Sequence, residues 1–263
     1  MSHSSECLNC HNKVSGNFCN NCGQKTDIHR ITFKHFITHD VLHGLFHVEK
    51  GMLFTAKESL IRPGKAALDY IEGKRIRYYN VFYFILLLIG LNIFLSNYYD
   101  KLSEIYVGKT FVEESNVTGK KFEHFFTDYA KILIFSFVPL FAINGFFLFR
   151  KRRLNFSEHF IIAGITFLGI LLIITADSII SLLDFTKHFD SISVYFSFLT
   201  SFAVLFFPIF SYYQTFKDYY KKLHFSIRMI VFTLLILFEL VVFMLLIYGY
   251  VSNWNFGPLS YRA

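Results

Sequence analysis

The sequence lacks the local patterns that mark common enzymes. It has no glycine-rich phosphate loop, no Ser or Cys nucleophile elbow and no His-Glu-x-x-His helix. His47-Val48-Glu49 fits no metalloprotease pattern. Cysteine is scarce: four residues, all within the first 22, so cysteine chemistry is confined to the N-terminal end. No short apolar segment opens the chain, so a secretory signal is not expected there. Charge is sparse as well, at 17% of residues, and is missing from long stretches.

Those stretches are apolar. Hydrophobic residues make up 54% of the 263, phenylalanine alone occurs 35 times, and mean hydropathy is positive. So much apolar surface does not fit one soluble core, and its blocking into runs points to transmembrane helices. The expected spans are about 80–98, 129–149, 157–182, 191–216 and 225–251, each long enough for a hydrocarbon core of about 30 Å. The fold class expected is an all-α polytopic membrane protein of about five transmembrane helices with a small N-terminal zinc ribbon. The net charge of +7 sits at the ends of the runs, so topology and anionic lipid explain it better than nucleic acid, and no nucleic-acid partner is expected.

Residues 1–26 carry Cys7-x-x-Cys10 and Cys19-x-x-Cys22. Two such knuckles turn four thiolates onto one tetrahedral ion. Asn9, Asn12, Asn20, Asn21 and Gly23 suit the tight turns. A disulfide pair is the alternative, but so short and polar a segment needs a staple to fold. The expected cofactor is structural Zn2+ on Cys7, Cys10, Cys19 and Cys22, with no ligand position left for catalysis. His3 and His11 stand nearby and are not expected as ligands. Zinc thiolates imply a reducing compartment and place this end in the cytoplasm.

The stretch CLNCHNKVSGNFCNNCGQK resembles the short zinc ribbon that opens an uncharacterised bacterial family of multi-span membrane proteins. RPGKAALDYIEGKRIRYYNVFYF, from Arg62, resembles that family's second hallmark. The two cover roughly the first third of the chain. His11 departs from the pattern, since such ribbons usually carry glycine after the second cysteine. The family is a domain of unknown function, so the resemblance implies an architecture and a bacterial inner membrane, and no activity.

Residues 27–79 read as an amphipathic, basic juxtamembrane segment. His35, His39, His43 and His47 recur every four residues beside an apolar stripe that includes Phe33, Phe36 and Val41. One reading is a metal site, since i, i+4 histidines can share an ion; the other is the wet face of a helix lying on the membrane surface. Gly51 is expected to end or bend this helix. A shorter one begins at Thr55–Leu60 and is expected to stop at Pro63-Gly64. Lys74, Arg75 and Arg77 then precede the first span, with Tyr78 and Tyr79 at the interface.

Counting Lys and Arg by side sets the orientation. The segments on the N-terminal side carry 19, those on the other side 6, and Lys131 lies at a boundary. The positive-inside rule therefore expects a cytoplasmic N-terminus and, after five spans, a C-terminus outside the cytoplasmic membrane.

Within the runs, Glu239 lies near the middle of the fifth and is a candidate for function, or else protonated and bonded to another helix. Asp177 lies towards the outer end of the third, within reach of water. Asn92 and Asn144 read as interhelical glue. Three functions remain. The ribbon is first of all expected to act as a cytoplasmic docking or sensing module on the membrane, with a protein or lipid partner. The alternatives are a transporter or channel using Glu239, and a metal-dependent membrane enzyme using the histidines. A non-enzymatic role is the leading expectation.

Overall fold

The computed structural model describes residues 6–26, 51–106, 136–185, 190–252 and 254. Among these the chain is helical, and extended pairing is limited to two isolated bridges near the cysteines. Helix α1 spans Met52–Ile61, α2 Pro63–Ile71 and α3 Val81–Tyr106. A shorter apolar helix, α4, covers Ser136–Leu148. It is followed by α5 at Phe156–Ser181, α6 at Asp190–Phe216 and α7 at Lys222–Val251.

Four helices, α3, α5, α6 and α7, are long and apolar enough to cross a membrane. They coincide with four of the five expected runs. The remaining run is described only from Ser136, as α4. Helix α3 also continues past the expected end of its run at residue 98, through Tyr98–Tyr106.

Helix α5 is the axis of the bundle. Its start is fixed by a capping box: Glu158 N–H donates to Asn155 Oδ1 at 2.8 Å, and Asn155 N–H donates to Glu158 Oε2 at 2.7 Å. Most of its span is buried, whereas α6 and α7 expose much of theirs. In lipid the exposed apolar faces need no cover, so helices associate through close backbone approach and polar contacts rather than through burial of oil from water. Asn92 Nδ2 donates to Thr175 Oγ1 at 2.8 Å, and the Thr166 and Ser211 hydroxyls meet at 2.6 Å. Asn92 thus serves as interhelical glue.

These contacts also give direction. Val81 meets Gly164 and Asn92 meets Thr175, so α3 and α5 run the same way. Helix α4 runs against α7, with Phe137 edge-to-face against Phe243 and Asn144 bonded to Glu239.

The segment before the first span holds more structure than expected. Helix α1 ends at Ile61, ahead of Pro63-Gly64 as expected, and Pro63 then starts α2 at the first-turn position where its missing N–H costs nothing. Helices α1 and α2 do not lie apart from the spans, since both pack against α5 and α2 also packs against α6. A Cβ on Gly169 would fall 2.9 Å from the Ser59 carbonyl oxygen, and Gly169 lies about 20 Å along α5 from its first residue. Helix α1 is accordingly inside out by aqueous standards. It buries Thr55, Glu58 and Ser59 and exposes Leu53 and Ile61. Polar side chains turned to protein and apolar ones turned outward suit a hairpin wedged into a bundle in lipid. Glu58 is paired with Arg62 at 2.5 Å. Thr55 Oγ1 accepts from the Tyr79 N–H at 2.7 Å, tying the hairpin to the foot of α3. The hairpin's far end is held by charge: Lys74 Nζ lies 2.7 Å from Asp69 and Arg152 lies 2.6 Å from Glu72. The Asp69 carboxylate raises the Lys74 pKa above its ordinary value.

Candidate metal centre and the buried polar groups

The two cysteine knuckles are local copies of one turn. In the first, Cys7 N–H donates to Asn12 O and His11 N–H to Cys7 O; in the second, Cys19 N–H donates to Gln24 O and Gly23 N–H to Cys19 O. Glu6 pairs with Lys13, and Phe18 with Lys25, as matching bridges. His11 and Gly23 take the same left-handed position, at φ 62° and 73°. Glycine adopts it freely, and a side chain there costs about 1 kcal/mol. His11 therefore strains its knuckle slightly but does not distort it.

The turns bring all four sulfurs within 4.8 Å of one another. Cys7 and Cys22 Sγ are 3.6 Å apart, Cys10 and Cys19 Sγ 3.5 Å. A disulfide needs about 2.05 Å, so the disulfide alternative does not describe this arrangement. A tetrahedron with metal–sulfur bonds of about 2.3 Å has edges near 3.8 Å, which the cluster approaches. The electrostatics suit a cation too. The Asn12 backbone N–H holds the Cys10 thiol down at about 6. Burial pushes the Cys7 thiol up to about 11, a shift that a bound cation reverses by favouring thiolate. Cys7, Cys10, Cys19 and Cys22 can hold one metal ion.

This module sits on the foot of the first long helix. Gln24 Oε1 accepts from the Ile76 N–H at 3.0 Å, and the Arg77 guanidinium donates to the Asn9 carbonyl at 3.2 Å. Asn9 and Gln24 are each within two residues of a metal-facing cysteine. Ile76 and Arg77 belong to the short turn Arg75–Arg77, two residues before the Thr55–Tyr79 contact. A continuous bonded path therefore runs from the thiolates to the wedged hairpin.

The other expected site residues fare differently. His35, His39, His43 and His47 lie outside the described residues. Asp177 is half-buried and accepts from the Ser197 hydroxyl at 2.9 Å. Glu239 Oε1 accepts from Asn144 Nδ2 at 2.8 Å, while Oε2 is buried without a partner among the described residues. Sequence reasoning passed over His159. It is fully buried between Phe146 and Phe216, and neither ring nitrogen has a partner among the described residues. Gly145 makes room for it: a Cβ there would lie 2.9 Å from His159 Nδ1 and 2.8 Å from the Tyr212 ring. The signal was a histidine two residues inside an apolar run, easily read as interfacial. The cavity beside this region, about 240 Å³, is lined by apolar side chains such as Phe141, Phe167 and Leu240, with Ser201 at its wall.

Among the described residues, the fold and this centre define a class: a helical bundle with four helices able to cross a membrane and a cluster of four cysteines at its N-terminal end. Residues 49–91, from just before α1 into α3, match the family described as protein of unknown function (DUF3667). The match lies on the wedged hairpin and the foot of α3, and leaves the cysteine knuckles outside it. No curated protein and no solved structure matches the chain.

Proposed function

We propose that this is a five-span protein of a bacterial cytoplasmic membrane whose N-terminal zinc-loaded knuckles form a docking or sensing module on the cytoplasmic side. The carrying observation is the pair of bonds from Gln24 and Asn9 to Ile76 and Arg77, which seats the module on the bundle instead of leaving it on a tether. Zinc is the reading because four thiolates and no open position are a structural zinc set. Helix α4 supplies the fifth span: α3 and α5 run the same way, so the chain must return between them, and α4 runs against α7. The cation count on the N-terminal side supports a cytoplasmic N-terminus and an external C-terminus. Phe18, 60% exposed and the more exposed of the module's two large apolar surface residues, the other being Leu8, is the contact offered to a cytoplasmic protein.

The transport reading has less support. Glu239 has a side-chain partner in Asn144, and the neighbouring cavity is apolar rather than a polar path. The enzyme reading rests on histidines outside the described residues.

A photo-crosslinker placed at Leu8 tests the docking reading. With cytoplasmic extract, inverted vesicles should give a discrete protein adduct and right-side-out vesicles none. Phe18→Asp should remove the adduct while zinc content stays at one per chain. An adduct that survives Phe18→Asp, or one formed only in right-side-out vesicles, contradicts the reading.

A further inference from the structure

A cavity of about 520 Å³ opens where α4 ends and α7 begins, lined by Arg150, Lys151, Tyr220, Lys221, His224 and Arg228. The positive-inside rule accounts for how many cations lie on this side. It does not account for their convergence on one concavity. Two of them share a single ring: Lys151 Nζ lies 5.6 Å from the Tyr220 centroid and the Arg228 guanidinium 5.0 Å. The Tyr220 hydroxyl in turn accepts from the Lys151 N–H at 2.9 Å, and Arg228 donates to the Leu148 carbonyl. The ring and the two backbone contacts hold these side chains in place beforehand.

No carboxylate among the described residues lies within ion-pair distance of Arg150, Lys151, Lys221 or Arg228. Asp218, the acid closest in sequence, pairs with none of them there. Elsewhere at this end of the bundle cations do find acids, as Arg152 and Lys74 do with Glu72. Like charges gathered without a counter-ion repel, and an anion in the cavity relieves that cost. Arginine and lysine donors around a concave site suit the oxygens of a phosphate.

The surroundings indicate where the phosphate comes from. Tyr220 lines the cavity, and Phe146 and Phe147 lie beneath the Arg150 guanidinium at its wall, an aromatic setting of the kind found at headgroup level. From its rim, Leu223, Ile227, Ile230 and Leu234 form an exposed apolar stripe up one face of α7. Headgroup and acyl chain thus have adjoining surfaces. We propose that this cavity binds the phosphate of an anionic phospholipid of the facing leaflet, with its chains lying along α7. The lipid is a specific ligand, and basic pockets between helices are a known device for holding one.

Native mass spectrometry of the full-length detergent-solubilised protein, titrated with phosphatidylglycerol or phosphatidylcholine, tests this. One phosphatidylglycerol per chain should be retained in preference to phosphatidylcholine. Lys151→Gln with Lys221→Gln should lower that preference about tenfold or more. Arg150→Gln, whose guanidinium only overlies two rings, should lower it in the same direction and serves if the pair does not fold. Lys57→Gln, remote from the cavity, should leave it unchanged. Equal retention of the two lipids, or a preference unmoved by the glutamines, overturns the proposal. So does stabilisation by inorganic phosphate through the same lysines without phosphatidylglycerol retention, which would assign the site to a soluble anion.

Discussion

Gly64→Ala should destabilise the bundle by about 1–3 kcal/mol, towards the upper end of what overpacking costs. The added Cβ would lie 2.5 Å from the Thr215 backbone nitrogen and 2.7 Å from the Gln214 carbonyl carbon. Neither is the free end of a side chain, so α2 must move away from α6 as a body. Ala66 and Ala67 of α2 are also buried with essentially no exposure, in a helix packed on both α5 and α6, which leaves little slack to absorb the shift. Thermal or denaturant unfolding in detergent reads the loss. Gly90→Ala is the control. Nothing lies within 4 Å of a Cβ at Gly90, and alanine inside a helix is favoured over glycine by up to about 1 kcal/mol, so that variant should be neutral or slightly more stable. A Gly64→Ala protein as stable as the parent would mean that the hairpin is not wedged against α6.

Cys19→Ser should abolish the metal. Four thiolates close the proposed zinc site, and three leave it open and weak, so purified protein should fall from one zinc per chain to none. The effect should reach beyond the knuckles. Cys19 supplies both the N–H that holds Gln24 O and the carbonyl that receives Gly23 N–H, so loosening this turn frees the Gln24 side chain from Ile76. The bundle itself should stay folded, because the contacts of α5 with its neighbours do not involve the knuckles. Elemental analysis under reducing conditions checks the first part, and a melting transition close to the parent's checks the second. Retention of stoichiometric zinc would show that the ion is held elsewhere, with the histidines of 35–47 the next candidates.

What the sequence disclosed follows from how local each signal was. Two Cys-x-x-Cys turns and four long apolar runs declare themselves within a few residues, and the structure places both where the pattern put them. His11 looked like a defect beside Gly23, yet the two backbones coincide because histidine tolerates the left-handed region at small cost. The packing of helices α1 and α2 was not legible, for a physical reason. Their buried face is Thr55, Glu58 and Ser59, so a reading that turns polar residues towards water sends the hairpin to the surface. In lipid the rule inverts, and only contacts with α5 and α6 reveal it. Pro63-Gly64 was legible as the stop of α1, which ends at Ile61, but not as the start of a second helix whose glycine allows close approach. Glu239 was legible as costly, but its partner Asn144 is distant in sequence and no periodicity joins them. His159 was passed over because its burial comes from Phe146 and Phe216 on other helices.

The central claim is that the metal-holding module is built onto the foot of α3 and reports its state to the bundle. Hydrogen exchange at the Ile76 amide, in full-length protein in lipid nanodiscs, tests it most directly. With zinc bound, this amide is held by Gln24 Oε1 and should exchange slowly; after chelation it should exchange at least about tenfold faster, while amides in the middle of α5 do not change. An Ile76 amide whose protection is the same with and without zinc would contradict the account.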